Sequence, residues 1–171
     1  DEVIPSVVIY TKKRDGRYKA RLVALGNRQK KSMVGEIYSP TISHAANRFL
    51  LVEGASRGDY FSLFDISNAF IKSVMKDDEK VIMRLPKHWS KSPKGDLVRL
   101  LRSLYGLKVS PRKWFDTYRV FLESIGWKMC EREPGLFRKG SMLLSIYVDD
   151  TIMCGPCEAE VNRERDLILE K

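Results

Sequence analysis

The chain has 171 residues, 43% of them apolar and 31% charged, with a net charge of +9. That length suits one compact domain with its own core, and that balance excludes a disordered or low-complexity chain. No apolar run approaches the roughly 20 residues of a membrane span, and the acidic start of DEVIPSVVIYTKKRDG, followed by a short apolar stretch, is no secretory signal.

Residues 7–13 and 18–25 read as two strands joined by a turn at Asp15-Gly16. In YKARLVAL the alternation puts Lys19 and Arg21 on one face and Ala20 and Leu22 on the other. The charge concentrates here. Residues 12–31 hold nine Lys/Arg and one Asp, hence +8, while the remaining residues carry 22 basic and 21 acidic groups. A clustered patch of this kind is the footprint of a phosphate-backbone binder; a solvated hairpin made soluble by charge is the plainer alternative.

SHAANRFLLVEGASRGD (43–59) suits a helix with Ser43 as N-cap and a stop near Gly58. YFSLFDI (60–66) is an apolar run of strand length that ends in Asp65. VIMRLP (81–86) is a short strand closed by Pro86, and HWSKSPKGD (88–96) is a polar loop. Residues 111–125 form the clearest helix, with Ser110 as N-cap, Pro111 at the first helical position and Gly126 beyond the end. Trp114, Phe115, Tyr118, Phe121, Leu122 and Ile125 make its apolar stripe, which is core. A hairpin of 143–148 and 151–154 and a charged helix over 158–169 follow. Strands and helices mix without strict alternation, so the expected class is α+β, with helices packed on an antiparallel sheet.

Three cysteines, Cys130, Cys154 and Cys157, are an odd count that fits a reducing compartment better than a disulfide framework. CGPC at 154–157 offers two readings, a Gly-Pro turn with incidental thiols or a thioredoxin-like dithiol. His44 and His88 stand too far apart in sequence to complete a zinc site with that pair.

The hairpin LLSIYVDDTIM places Asp149 and Asp150 between apolar runs. An exposed turn accounts for them most simply. Burying a carboxylate, by contrast, requires a partner or a metal. Asp65 is a third carboxylate at a strand end. A sheet pairing strand 60–66 with the hairpin would bring all three together and offer oxygen ligands to hard divalent cations.

LFDISNAFI, RSLYGLKVSPRKWF and IYVDD, in that order, resemble the reverse transcriptase of copia-type LTR retrotransposons; DGRYKARLVALGNRQ and YSPTIS upstream are similar to the same family. The likeness covers essentially the whole chain. It implies a right-hand polymerase fold, fingers plus palm, with an antiparallel palm sheet backed by helices. About 1–58 would be fingers-like, 59–86 palm, 87–110 a fingers/palm loop region and 111–171 palm. It implies RNA- or DNA-templated DNA synthesis from deoxynucleoside triphosphates on a template-primer, with two Mg²⁺ ions, or Mn²⁺ in their place. An intracellular setting is expected, in a cytoplasmic particle or the nucleus, without secretion or a membrane partner.

Residue by residue, the resemblance makes Asp65, Asp149 and Asp150 catalytic and metal-binding, with the carbonyl of Ile66 as a further ligand. Phe70 matches the aromatic beneath the incoming sugar, and Tyr105 and Gly106 line the nucleotide side, with Gly106 allowing close backbone approach to the substrate. Lys19 and Arg21 would meet the triphosphate, and Tyr147, Lys108, Ser110 and Pro111 the primer or template. Val109 departs from the family, which usually has Gln there. The family also leads one to expect further palm, a thumb and a ribonuclease H domain after Lys171, and hence poor polymerisation by residues 1–171 alone. Two rivals are a catalytically inactive nucleic-acid-binding remnant and a dithiol redox protein working through Cys154 and Cys157.

Overall fold

β-branched residues recur through VIPSVVIYTK, and this stretch forms the first strand of the computed structural model, which describes residues 3–29 and 36–170. In chain order the elements are β1 (Val3–Lys12), β2 (Tyr18–Ala24), α1 (His44–Arg57), β3 (Tyr60–Asp65), β4 (Ile82–Arg84), β5 (Leu97–Arg99) and α2 (Ser110–Ser124). Then come β6 (Lys128–Met129), β7 (Leu136–Lys139), β8 (Met142–Tyr147), β9 (Asp150–Gly155) and α3 (Glu158–Leu169). The class is mixed α+β. The chain divides into two units, residues 1–38 with 70–114 and residues 39–69 with 115–171. Thus α1, which falls within 1–58, belongs to the second unit, and β4, within 59–86, to the first.

The first unit is built on a four-stranded sheet ordered β2-β1-β4-β5. β1 and β2 pair antiparallel from Ser6↔Ala24 to Lys12↔Tyr18. Gly16 turns the hairpin with φ +85°, a conformation only glycine adopts without strain. β1 and β4 run parallel, Val3 beside Ile82, so this sheet is mixed. Nothing local announces that pairing, because its partners lie nearly 80 residues apart. Ile4, Ala24, Met83 and Leu107 form the buried cluster here, and Val109 packs against it. An apolar neighbourhood thus accounts for Val109 where the resemblance suggests Gln.

The second unit carries a five-stranded antiparallel sheet, β3-β9-β8-β7-β6. α1 lies on one face, so close that a Cβ on Gly54 would sit 2.6 Å from the Phe61 ring and 2.9 Å from Cys154 Sγ. Ser43 Oγ accepts from Ala46 N at 3.2 Å and Gly58 ends the helix at φ +70°, as the sequence leads one to expect. On the other face Tyr118 of α2 shares a 3.1 Å hydrogen bond with Thr151; burial pushes the phenol's pKa above its usual value, and the bond opposes that rise only in part. Glu164 of α3, 4% exposed, accepts from Trp127 Nε1 at 3.2 Å and from Lys139 Nζ at 2.7 Å. Its charge is therefore paired rather than stranded.

Two details differ from the sequence reading. Ser110 begins α2 rather than capping it from outside, and its hydroxyl donates to Leu104 O at 2.7 Å. β5, β6 and β7 have three, two and four residues, too short to leave a periodic signal. Among the described residues no helix is long and apolar enough to cross a membrane.

Candidate carboxylate site

The alternation of β8 and β9 fixes which side chains share a face. Asp150, Ile152 and Cys154 of β9 face the α1 side, opposite Tyr147, Ser145 and Leu143 of β8. On β9's other flank, Asp65 stands directly across from Asp150, Leu63 from Ile152 and Phe61 from Cys154. The pairing of strand 60–66 with the aspartate hairpin is therefore present.

Val148 and Asp149 make the two-residue turn between β8 and β9. A two-residue hairpin favours positive φ at its first central position, usually supplied by glycine or asparagine. Here Val148 takes it at φ +61°. A β-branched residue in that region costs about 1–3 kcal/mol. The strained turn sets Asp149 at the tip, where its carbonyl accepts from Ile66 N at 2.9 Å. That bond ties the chain just after Asp65 to the chain just before Asp150.

Asp65 and Asp150 are exposed, Asp149 is half-buried and Ile66 is 5% exposed. Like charges directly opposite on paired strands repel, so the Asp65–Asp150 pair invites a cation. Among the described residues neither Asp149 nor Asp150 forms a salt bridge. Their oxygen donors fit a hard divalent ion. Yet among the described residues no three His, Cys, Asp or Glu side chains are grouped closely enough to hold one. The backbone thus supplies adjacency; it does not close a three-carboxylate group of the kind the sequence suggests. Beside the pair opens a cavity of roughly 570 Å³, lined by Asp65, Asp150, Tyr147, Ser145, Asn47 and His44 among others. Tyr147 is 55% exposed at its rim.

The remaining candidates lie in the first unit. Lys19 is exposed and Arg21 half-buried, on one face of β2. Phe70 is buried edge-on against Tyr105, with ring centroids 4.6 Å apart and planes at 72°. Gly106 has φ +90°, and a Cβ there would lie 2.0 Å from Ala24 O. Its close approach is to the chain's own backbone, where Tyr105 O accepts from Ala24 N at 2.8 Å and Gly106 O from Gly26 N at 3.1 Å. That contact with the chain's own strand by itself requires glycine at this position.

Lys108 is committed too, its Nζ donating to Gln29 O at 2.8 Å and its backbone N to Gln29 Oε1 at 3.2 Å. Ser110 is fully buried, so its side chain meets no primer or template, and Pro111 is half-buried in the first turn of α2. Gln29 and Gly26 were missed by sequence reasoning. Their partners lie about 80 residues on, where no local pattern points.

The cysteine pair does not suit redox exchange. Burial, and then the charge of Asp59, push the Cys154 thiol up to about 11, whereas a reactive dithiol needs an accessible, acidified sulfur. Cys154 is buried and Cys157 exposed.

Comparison with known proteins bears on this geometry. Residues 1–168 match the family described as reverse transcriptase (RNA-dependent DNA polymerase). The chain is 33% identical over 153 residues to the transposon Ty1-DR4 Gag-Pol polyprotein of Saccharomyces cerevisiae, covering 88% of this chain and 9% of that polyprotein. The Ty1-DR6 and TyH3 Gag-Pol polyproteins, also from Saccharomyces cerevisiae, match at 33% identity, with 88% of this chain and 8% of each polyprotein covered. The chain therefore spans less than a tenth of the length of these relatives.

Proposed function

Because the chain belongs to the reverse transcriptase (RNA-dependent DNA polymerase) family, in its copia-type branch, we propose that it performs templated nucleotidyl transfer at the Asp65–Asp149–Asp150 tip. The observation that carries this reading is the register of Asp65 against Asp150, with Asp149 O bonded to Ile66 N between them. In this reading the second unit is the palm and the first the fingers.

Asp65, Asp149, Asp150 and the Ile66 carbonyl would hold two Mg²⁺ or Mn²⁺ ions. When bound, such ions lower the pKa of the primer 3′-hydroxyl and neutralise charge on the departing pyrophosphate. Tyr147 supports the primer terminus from the rim of the cavity. Phe70, its ring steadied by Tyr105, gives the incoming sugar a flat apolar floor with no partner for a 2′-hydroxyl, which selects deoxynucleotides. Lys19 and Arg21 bind the triphosphate as a point charge and a fork. Lys108 and Pro111 stiffen the loop beside the template rather than gripping it. The partners are an RNA or DNA template-primer and deoxynucleoside triphosphates, in an intracellular compartment.

Primer extension with Mg²⁺ and deoxynucleotides tests the proposal. Incorporation, expected to be poor from residues 1–171 alone, should fall a further ~10²–10³-fold in Asp149→Asn while primer-template binding persists. A second reading, binding without catalysis, draws on the absence of a ready three-carboxylate group among the described residues. Salt-sensitive binding with no incorporation under either ion would establish it over the first.

A further inference from the structure

On the hairpin of β1 and β2, Lys12 pairs with Tyr18 and Tyr10 with Ala20, so Tyr10, Lys12 and Tyr18 share one face. Lys19 and Arg21 occupy the opposite face, with Thr11 and Ile9. Tyr10 is 65% exposed and Tyr18 83%, and as a diagonal pair their positions are about 7–8 Å apart. Lys12 Nζ stands 5.6 Å from the Tyr18 ring centroid, within cation–π range. The short turn at Lys87–Trp89 extends this aromatic surface. Tyr10 Oη lies 3.4 Å from His88 Nε2, and the His88 ring meets Trp89 edge-on at 6.2 Å. Trp89 itself is 47% exposed.

Three large rings left in water on one small surface ask for an occupant. The surrounding charge names its class. Residues 80–95 contain five Lys/Arg and no Asp or Glu, and residues 10–14 add Lys12, Lys13 and Arg14. A surface of flat rings interleaved with cations, its nearby carboxylates Asp15 and Asp96 already bonded to Arg17 and to the Lys91 and Ser92 amides, is complementary to a polyanion whose bases are free to stack. Duplex bases hide their faces in the helix; a single strand does not.

We propose that Tyr10, Tyr18 and Trp89 form a stacking platform for single-stranded nucleic acid, set on the face of the hairpin opposite Lys19 and Arg21. This rests on the reading that the chain works on a nucleic-acid template. It gives the unpaired template a seat on one face while the other face serves the triphosphate. The platform reads no sequence and no 2′-hydroxyl, so RNA and DNA single strands bind alike.

The test uses the whole chain with oligothymidylate and oligouridylate. Trp114 and Trp127 are 4% and 1% exposed, so Trp89 is the tryptophan a strand can reach, and its fluorescence should quench as strand is added. Tyr10→Ala, Tyr18→Ala and Trp89→Ala should each weaken binding about tenfold, the scale of one lost base stack. The dependence on salt should keep its slope, because no charge is removed. Trp89→Phe should restore affinity, since a ring remains.

If the native chain binds but these alanine variants stay within about twofold of it, the cations alone hold the strand, and the platform fails while the polymerase reading stands. Equal quenching by a duplex of the same length would likewise overturn it. Absence of binding even at low salt would instead take down the nucleic-acid reading itself.

Discussion

The two units differ in charge more than in size. Residues 1–38 with 70–114 hold 21 Lys/Arg and 8 Asp/Glu, hence +13, whereas residues 39–69 with 115–171 hold 10 and 14, hence −4. The cationic unit has a mixed sheet and an aromatic surface; the acidic unit has an antiparallel sheet with carboxylates at one tip. The difference teaches that one chain can keep its excess cations and its exposed carboxylates on separate units. A carboxylate cluster amid thirteen excess positive charges would be neutralised by lysine and arginine before any metal reached it.

The largest expected effect tests whether chemistry belongs to the acidic unit alone. Asp149→Asn should cut nucleotide incorporation by about 10²–10³-fold, on the scale of losing one preorganised electrostatic contact, and leave template affinity unchanged. A parallel loss of affinity would break the division of labour.

Thiol reactivity probes the interior of the same unit. With Cys154 held near 11, its thiolate at pH 8 is about 10²-fold scarcer than that of an ordinary cysteine, so a thiol reagent should modify Cys157 first and Cys154 only on unfolding. The folded value lies above the unfolded one. This stabilisation is therefore full below about pH 8.5 and fades as pH climbs towards 11. Early labelling of Cys154 in the native protein would show that α1 does not cover it.

The Gly106 crossing should be the sensitive joint of the cationic unit. Gly106→Ala forces a Cβ to within 2.0 Å of Ala24 O at φ +90° and should cost about 2–4 kcal/mol. Gly16→Ala, at φ +85° with nothing within 4 Å, should cost only about 1–2 kcal/mol of backbone strain. Urea denaturation of both variants would rank them, and equal losses would deny the crossing its role.

Neutralising Lys12, Lys13 and Arg14 together should weaken single-strand binding about tenfold and lower the salt slope by about 2. Incorporation at saturating template should stay unchanged, because the charges attract and do not react. The smallest effect concerns the turn. Val148→Gly should raise stability by at most about 1 kcal/mol, as relief of positive φ exceeds the extra chain entropy of glycine. A fall in melting temperature would mean that the valine side chain contributes packing greater than its strain.

Local sequence determined the elements whose causes are local. Asp15-Gly16 made its turn, Ser43 and Gly58 bounded α1, and the stripe from Trp114 to Leu122 went to the interior because caps and periodicities act over a few residues. The motifs around Asp65, Tyr105 and Asp149 were enough to place the chain in its family. Tertiary structure decided what depends on distant partners: Asp65 facing Asp150 across 85 positions, β1 running parallel to β4, and Gly106 packed against the Ala24 carbonyl. It also regrouped the charge. Along the chain the excess looked confined to residues 12–31, but folding adds residues 70–114, which carry 12 basic and 4 acidic groups, to the same unit. Sequence fixes how much charge there is; only the path of the backbone decides which charges become neighbours, and an electrostatic field depends on that distance.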